Sequence, residues 1–265
     1  MRSRVKRFLL TMIKSTIMLF MVAAIVYGTH LSTQKSLRYS TISEITDRAN
    51  ITTQLHSTER KAVIKSRMSA VRVLSADDNG NVAASSGTYM QIDEMASYVL
   101  TTSHGIVGRC GTTRIQYERN YYDCLNYVII DERVDYIIME VEEIEEAIPV
   151  QINRSLPANR EWKEELSVMS RLYYTGYPNN EGPSTVTGTI MNVSPQNEMV
   201  FLQSYAWPGS SGSGVFSQQG NLIGLVVALD VGLTQYSLQI LSNAVWVIPT
   251  YKIDWEYLYI YNNEL

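Results

Sequence analysis

Short apolar runs separated by turn residues dominate the chain from about residue 66 onward. The runs are rich in Val, Ile, Thr and Tyr, and Gly, Asn, Asp, Pro and Ser stand between them, which is the pattern of short strands joined by turns. It predicts an all-β fold, an antiparallel barrel or sandwich, rather than parallel βαβ units. The strands indicated are 70–74, 88–92, 98–102, 127–130, 136–141, 186–193, 199–203, 222–229 and 244–248.

The first 29 residues have a different pattern, which predicts a hydrophobic helix. Four basic residues between positions 2 and 7 precede an apolar segment from Phe8 to Gly28. As a helix this segment would span about 31 Å at roughly 1.5 Å per residue, which matches a bilayer core of about 30 Å. Two interpretations stay open: a single-pass membrane anchor, or a signal peptide cleaved after Ala24 or Gly28. Both place the rest of the chain outside the cytoplasm, because the basic flank stays inside.

The remaining chain divides into three parts by the same pattern. Residues 30–65 are polar and rich in Thr, Ser and charge, and we interpret them as a partly helical stalk or linker without chemistry. Residues 66–255 form the predicted β domain, and 256–265 form a C-terminal tail. A short closing helix is predicted from Asp254 to Tyr261, because Trp255, Leu258 and Tyr259 would share its apolar side.

Composition excludes several classes of function. Of the 265 residues, 45% are apolar and 18% are charged, which indicates a globular protein. A net charge of −4 provides no basic face for a nucleic acid. The two cysteines lack the spacing of a metal site, and the acidic run from Glu140 to Glu146 lacks the regular oxygen ligands of a calcium loop. We therefore expect no metal, no cofactor and no nucleic acid.

Three segments carry candidate chemistry. His104 ends a β-like run, Asp135 opens another, and Ser211 lies in the glycine-rich turn Trp207-Pro-Gly-Ser-Ser-Gly-Ser-Gly. A serine hydroxyl is a weak nucleophile until a neighbouring base removes its proton, and histidine is the side chain suited to that at neutral pH. A carboxylate can then orient the imidazole and stabilise its charged form. The glycines would let the backbone N–H groups of Gly209 and Ser211 point at one oxyanion.

The order His, Asp, Ser is one of several arrangements that share this geometry. The three segments resemble the signature blocks of trypsin-like serine peptidases, closest to the compact bacterial branch of HtrA proteases and glutamyl endopeptidases. Further similar segments are Ser86-Gly87, Gly176-Tyr-Pro178, Gly220 to Val226 and Val247-Ile-Pro249, so the resemblance covers roughly residues 66 to 255.

The resemblance implies a chymotrypsin-like fold of two six-stranded antiparallel β-barrels with a short C-terminal helix. It also implies a triad of His104, Asp135 and Ser211. The chain departs from the family at Ser210, where Asp or Asn is usual, and at Gly214, where Pro or Ala is usual. Neither change removes a catalytic group. The PDZ domain of HtrA proteases is not expected, nor is the regulation associated with it.

The resemblance also suggests where a substrate side chain would bind. The wall of the primary specificity pocket should involve Tyr205 and the strand that contains Val227 and Leu229. No acidic residue stands six positions before Ser211, which argues against a preference for Lys or Arg and favours a small or medium apolar residue.

The state of the two cysteines is left open by the sequence. Cys110 and Cys124 could pair across a hairpin in an oxidising compartment, or both could be free thiols.

Two functions are compatible with these residues. The first is a serine endopeptidase that acts on protein or peptide substrates outside the cytoplasm through an acyl-enzyme intermediate. The second is a binding or scaffolding module that keeps the peptidase fold without turnover, because a complete triad can still be inactive when its oxyanion loop is distorted. The sequence predicts no particular oligomeric state.

Overall fold

The computed structural model describes residues 55–92, 96–152, 165–194, 196, 198–233 and 238–264. All of them belong to one compact unit, Ala49–Leu265. The predicted N-terminal hydrophobic helix and most of the predicted stalk lie outside the described residues. Within those ranges, no helix combines the length and the apolar character needed to cross a bilayer.

The first half of this unit is a closed barrel of six antiparallel strands. The strands follow in the order β1-β4-β5-β6-β3-β2, and pairing between β1 and β2 closes the barrel. A further short strand, β7, pairs in parallel with β2 at the residues that end that strand. The strands are β1 (Ala70–Ala76), β2 (Val82–Ile92), β3 (Ala96–Thr101), β4 (Thr113–Tyr117), β5 (Asn120–Asp131), β6 (Tyr136–Val141) and β7 (Val150–Ile152).

The second half is another closed, six-stranded antiparallel barrel, ordered β10-β13-β12-β11-β8-β9. The prediction of an all-β protein with two six-stranded barrels is therefore confirmed. Strands β4, β7, β8 and β11 were not among the runs indicated by the sequence pattern. The strands are β8 (Arg171–Gly176), β9 (Ser184–Val193), β10 (Val200–Gln203), β11 (Gly214–Ser217), β12 (Leu222–Leu233) and β13 (Leu238–Pro249).

Neighbouring side chains along β2 and β3 point to opposite faces of the strand and pack in two different hydrophobic clusters. Tyr89 and Val99 pack in a cluster formed by the first barrel and its loops. Their neighbours Met90 and Tyr98 point the other way, into a cluster shared with strands of the second barrel. This follows from the two-residue period of a strand, which gives each face its own partner. Both faces are buried, so these segments read as continuous apolar runs in the sequence.

A 13-residue helix, α1 (Ser57–Ser69), precedes the first strand and packs on the second barrel. Ala62 and Val63 contact Tyr173 in a small buried cluster. Lys65 donates from Nζ to the carbonyl of Gly220 at 3.0 Å. The expected border between stalk and domain at residue 66 thus falls inside a helix whose N-terminal half is already packed against the β domain.

The predicted closing helix is present as α2 (Trp255–Glu264). Trp255, Leu258 and Tyr259, the residues expected on its apolar side, are all buried. They join the cluster that lies between the two barrels. The Trp255 indole also donates to the carbonyl of Thr250 at 2.7 Å, which ties the start of the helix to the end of β13.

Candidate active site

His104 lies in a single 3-10 turn, Ser103–Gly105, directly after β3. A side chain at Gly105 would place its Cβ 2.8 Å from Ser85 Oγ, so the turn packs closely against β2. The His104 side chain remains 49% exposed. The imidazole is therefore held on a tight, packed turn while its ring stays accessible to a substrate.

Asp135 directly precedes β6 and follows a turn that is organised by another aspartate. Asp131 Oδ1 accepts the backbone N–H groups of Arg133 at 2.9 Å and Val134 at 3.0 Å. The N–H of Asp135 donates to the Asp131 carbonyl at 2.8 Å. Asp135 itself has φ of 71°, in the left-handed region that Asp and Asn tolerate better than most residues. The turn thus determines where the carboxylate points.

The Asp135 carboxylate accepts three hydrogen bonds from one short segment. Its Oδ2 lies 2.7 Å from His104 Nδ1, and its Oδ1 accepts the His104 backbone N–H at 3.0 Å. The Ser103 hydroxyl donates to the same Oδ1 at 2.7 Å. Because an ionised carboxylate can only accept, Nδ1 carries the proton, and Nε2 of the neutral ring is left with a free lone pair. This is the tautomer that a general base requires.

These contacts keep the carboxylate ionised. Burial is the largest single influence and raises the pKa of Asp135, but the hydrogen bonds from the His104 ring, the His104 N–H and Ser103 together lower it below its usual 3.8. At neutral pH the group is therefore negative and stabilises a positive charge on the imidazole beside it.

Ser211 lies in a loop made of two consecutive turns. The N–H of Ser210 donates to the carbonyl of Trp207 at 2.9 Å, and the N–H of Ser213 to the carbonyl of Ser210 at 3.1 Å. The third residue of each turn is a glycine with positive φ, 94° at Gly209 and 89° at Gly212. A turn with positive φ at this position favours glycine. The sequence Pro-Gly-Ser-Ser-Gly therefore encodes the shape of the loop locally.

Four consecutive carbonyl groups in this loop, those of residues 208–211, are held by donors outside their own peptide. The carbonyl of residue 208 accepts the Asn179 N–H at 2.8 Å, and that of Gly209 accepts the Ser86 hydroxyl at 2.6 Å. The carbonyl of Ser210 accepts the Ser213 N–H at 3.1 Å, and that of Ser211 accepts the Ser86 N–H at 2.8 Å.

The N–H groups of Gly209 and Ser211 are left without a partner among the described residues, whereas those of Ser210 and Gly212 are bonded. In a trans peptide the N–H points opposite to the carbonyl. Fixing the carbonyls of residues 208 and 210 therefore fixes the direction of the two unpartnered N–H groups. Two such donors are what an oxyanion site needs.

The Ser211 hydroxyl is bonded to a backbone carbonyl of β12 in this structure. Its Oγ donates to the carbonyl of Val227 at 3.1 Å, and no hydrogen bond joins it to His104 within the described part of the chain. The loop nevertheless packs against the end of β3, since a Cβ on Gly212 would lie 2.3 Å from Thr101 Oγ1. The loop that carries Ser211 thus lies beside the end of the strand that leads to His104, and the Ser211 hydroxyl is bonded to β12.

The residues proposed for the specificity pocket have separate environments. Tyr205 is 58% exposed and stacks on Trp207, with ring centroids 6.2 Å apart. Val227 directs its side chain into the core between the barrels, so its carbonyl rather than its side chain reaches the site. Leu229 pairs with Val245 in the ladder of β12 and β13, and its side chain lies outside what the structure describes.

A cavity of about 530 Å³ opens beside His104 and Asp135. It is lined by the His104 turn and the loop after it, by strands β5 and β6, and by the turn between these strands, with two carboxylates, Glu132 and Asp135, among the lining residues. The sequence pattern does not reveal this cavity, because its walls meet only in the folded barrel. The apolar residues that line it are Ile106, Val107, Tyr127, Ile130 and Ile137.

The loop that forms one wall of this cavity is cross-linked to β5. Of the two cysteine states left open by the sequence, the structure contains the disulfide Cys110–Cys124, with Cα atoms 5.2 Å apart. Among the described residues, no group of three or more His, Cys, Asp or Glu side chains is placed to hold a metal ion.

The sequence matches the family model of the trypsin-like peptidase domain over residues 85–225, more than half of the chain. None of the curated proteins matches the sequence significantly.

Several solved structures are similar in fold. A serine endoprotease from Yersinia pestis has a TM-score of 0.55 and 18% identity, over 74% of this chain and 64% of that one. The Rv3671c protease from M. tuberculosis, in its active form, has a TM-score of 0.53 and 16% identity, over 71% and 78%. The HtrA-type protease AlgW, solved with a tripeptide, has a TM-score of 0.55 and 16% identity, over 72% and 59%. This chain thus covers less than two thirds of the first and third of these proteins.

Proposed function

This chain belongs to the trypsin-like peptidase domain family, whose members are serine-type endopeptidases, and from that premise we propose that it hydrolyses peptide bonds through His104, Asp135 and Ser211. One observation carries the proposal. The His104–Asp135 pair, joined at 2.7 Å, lies at the end of the strand against which the Ser211 loop packs. That loop presents two N–H groups with no partner among the described residues.

Acylation begins with rotation of the Ser211 hydroxyl from the Val227 carbonyl toward His104 Nε2. The imidazole takes the proton as the serine oxygen forms a bond to the carbonyl carbon of the substrate. The negative charge that develops on the carbonyl oxygen is stabilised by the N–H groups of Gly209 and Ser211. Asp135 stabilises the imidazolium, which then transfers its proton to the leaving amine as the C–N bond breaks. Water repeats these steps on the acyl-enzyme and releases the acid.

The substrate is a protein or peptide chain with apolar side chains near the cleaved bond. The cavity beside His104 has four aliphatic residues in its lining, which would contact one such side chain: Ile106, Val107, Ile130 and Ile137. For the residue that precedes the cleaved bond we keep the proposal of a small or medium apolar side chain, because Tyr205 supplies no charge to pair with Lys or Arg. Cleavage of Val or Leu peptides should exceed that of Arg peptides, and the reverse order would contradict this preference.

We further propose that the enzyme acts outside the cytoplasm. The support is the basic cluster followed by the apolar segment from Phe8 to Gly28. Extraction of membranes with alkaline carbonate, together with the mass of the mature chain, separates the two interpretations. An anchor leaves the full chain in the membrane, whereas a cleaved signal leaves a shorter chain in the soluble fraction. A full-length chain in the cytoplasm would contradict both.

A single measurement tests the proposed chemistry. The full chain is treated with a fluorophosphonate, which phosphonylates an activated serine, and the adduct is located by mass spectrometry. We expect one adduct on Ser211, and none in the Ser211→Ala or His104→Ala variants. The neighbouring Ser210 and Ser213 are only 3% and 0% exposed, and both are expected to stay unmodified.

One observation favours the second function, a peptidase fold that binds without turnover. The Ser211 hydroxyl is bonded to the Val227 carbonyl rather than to His104. If this rotamer is locked, a folded wild-type chain will not react with the fluorophosphonate, and the binding module becomes the preferred function. Reaction at Ser211 excludes the locked rotamer.

A further inference from the structure

Ser86, in β2 of the first barrel, makes three hydrogen bonds to the second barrel through two of its polar groups, the N–H and the hydroxyl. Its N–H donates to the carbonyl of Ser211 at 2.8 Å. Its hydroxyl donates to the carbonyl of Gly209 at 2.6 Å. The same hydroxyl accepts the N–H of Tyr177 at 2.8 Å. Ser86 is completely buried, so no water competes for these bonds.

The third polar group of Ser86, its carbonyl, fixes the residue itself. Thr101, on the adjacent strand β3, donates its hydroxyl to the Ser86 carbonyl at 2.6 Å. That carbonyl also forms the wall against which Gly212 packs, because a Cβ there would lie 1.9 Å from the oxygen. Ser86 is thus anchored to the strand that leads to His104 and simultaneously holds the loop of Ser211.

The Ser86 hydroxyl adds a second hydrogen bond to the peptide after Gly209, whose other end is held by the bond from the Ser210 N–H to the Trp207 carbonyl at 2.9 Å. A glycine with positive φ has no side chain to restrict it, and alternative backbone states are close in energy. Asn179 holds the peptide that contains the Gly209 N–H, through the carbonyl of residue 208 at 2.8 Å. Ser86 holds the carbonyl on the other side of the same residue. Together they restrict both torsions of Gly209, and hence the direction of its unpartnered N–H.

We propose that the Ser86 hydroxyl is a positioning group for the oxyanion site, which aligns the N–H of Gly209 by holding its carbonyl from the opposite barrel. The inference rests on the proposed peptidase function. It assigns to a side chain outside the triad a contribution that is realised only when negative charge develops on the substrate carbonyl.

The test compares Ser86→Ala with a control, Ser97→Ala, in the full chain. Ser97 is also a buried serine of the first barrel, on β3, and its hydroxyl bonds to the Tyr89 hydroxyl at 2.8 Å rather than to the Ser211 loop. The second-order rate of fluorophosphonate labelling should fall about 10- to 100-fold in Ser86→Ala, below the loss expected for removal of a whole oxyanion donor. In Ser97→Ala it should change less than about twofold, because no oxyanion contact is altered.

A second reaction distinguishes misalignment of the oxyanion donors from a shift in the position of residue 211 itself. In a Ser211→Cys background, iodoacetamide alkylates the thiolate by displacement at carbon, with iodide as the leaving group and no oxyanion formed. Addition of Ser86→Ala should leave this rate within about twofold, since it does not use the oxyanion donors. An equal loss in both reactions would show that Ser86 only holds the position of residue 211 and would overturn the proposal.

The remaining outcomes are also decisive. If wild type does not react with the fluorophosphonate, the proposed function fails before the inference is reached. If wild type and Ser86→Ala react equally fast, the inference alone fails. Should Ser86→Ala not fold, as judged by circular dichroism, Ser86→Cys takes its place, because it keeps the volume but weakens the donor. If neither variant folds, Ser86 is required for the fold rather than the site, and the proposal is rejected.

Discussion

Replacement of Gly212 by alanine should damage both the stability and the reactivity of this protein. Gly212 has φ of 89°, and a Cβ there would lie 1.9 Å from the Ser86 carbonyl oxygen and 2.3 Å from Thr101 Oγ1. An L-residue in the left-handed region costs about 1 to 2 kcal/mol. The steric overlap adds about 1 to 3 kcal/mol, as for other overpacked sites. The free energy of unfolding should therefore fall by about 2 to 5 kcal/mol relative to wild type.

Gly80 is the control for the part of this cost that comes from the left-handed backbone torsion. It has nearly the same torsion, φ of 84°, but lies in the exposed hairpin turn between β1 and β2 with nothing within 4 Å of its would-be Cβ. Gly80→Ala should therefore carry only the torsional cost, reduced by the smaller entropy of the unfolded alanine chain, for a net of about 1 kcal/mol. The difference between the two variants, measured by urea unfolding, isolates the steric term.

The overlap also predicts the effect on chemistry. To restore an acceptable contact of 3.0 Å, the loop and the Ser86 carbonyl must separate by about 1 Å. A displacement of this size at a reacting group costs about 10²-fold in rate. Fluorophosphonate labelling of Gly212→Ala should fall accordingly, while Gly80→Ala should react like wild type. If the two variants unfold at the same urea concentration and label at the same rate, the reasoning from loop packing is wrong.

Other predictions concern the carboxylate and the disulfide. Asp135→Asn should lower the labelling rate about 10⁴-fold, because the amide favours the wrong imidazole tautomer. The lowered pKa of Asp135 stabilises the folded state above its ordinary pKa of 3.8, and this contribution is lost as pH falls through the lower folded value. The difference in urea midpoint between wild type and Asp135→Asn should thus shrink below about pH 4, and a constant difference would contradict this. Ser103→Ala should raise the pKa of Asp135 and slow labelling about tenfold, as expected for a hydrogen bond to a charged group, with Ser103→Thr restoring the rate. Replacement of Cys110 and Cys124 by serine should lower the free energy of unfolding by about 3 kcal/mol, the entropy of opening a loop of this size, and an unchanged urea midpoint would refute it.

The fold class was predictable because most strands can be recognised from their own residues and the turn residues beside them. Val, Ile, Thr and Tyr favour extended backbone wherever they cluster, and Gly, Pro and Asn end each run, so no distant residue is needed to recognise the strands. The strands missing from the pattern are the short or polar ones. β7 has three residues and β11 has four, and an arginine interrupts the apolar pattern of β4 and begins β8. Their extended state depends on the barrel partners that complete their hydrogen bonds.

The candidate site residues could also be proposed from the sequence, because their signal lies in short stretches of neighbouring residues. His104, Asp135 and Ser211 each stand in a short segment whose residue types and order are informative without coordinates. The two glycines beside Ser211 encode a pair of turns through their own torsions, 94° and 89°. Local chemistry and local conformation therefore determined which side chains are proposed to react.

Only the tertiary structure decided how these groups are supported and where they point. Ser86 reaches Gly209 across 123 positions of sequence, and nothing in the neighbourhood of either residue encodes that contact. The direction of the Ser211 hydroxyl, the exposure of Tyr205 and the cavity beside His104 likewise arise where two barrels or several loops meet. Residues 57–65 of helix α1 were assigned to a stalk because charged residues surround their short apolar run, and the burial of Ala62 and Val63 depends on contact with Tyr173 of the second barrel. Strand propensity and turn torsions are properties of a few neighbouring residues, whereas alignment of donors around a reacting atom depends on contacts between segments that are far apart in the chain.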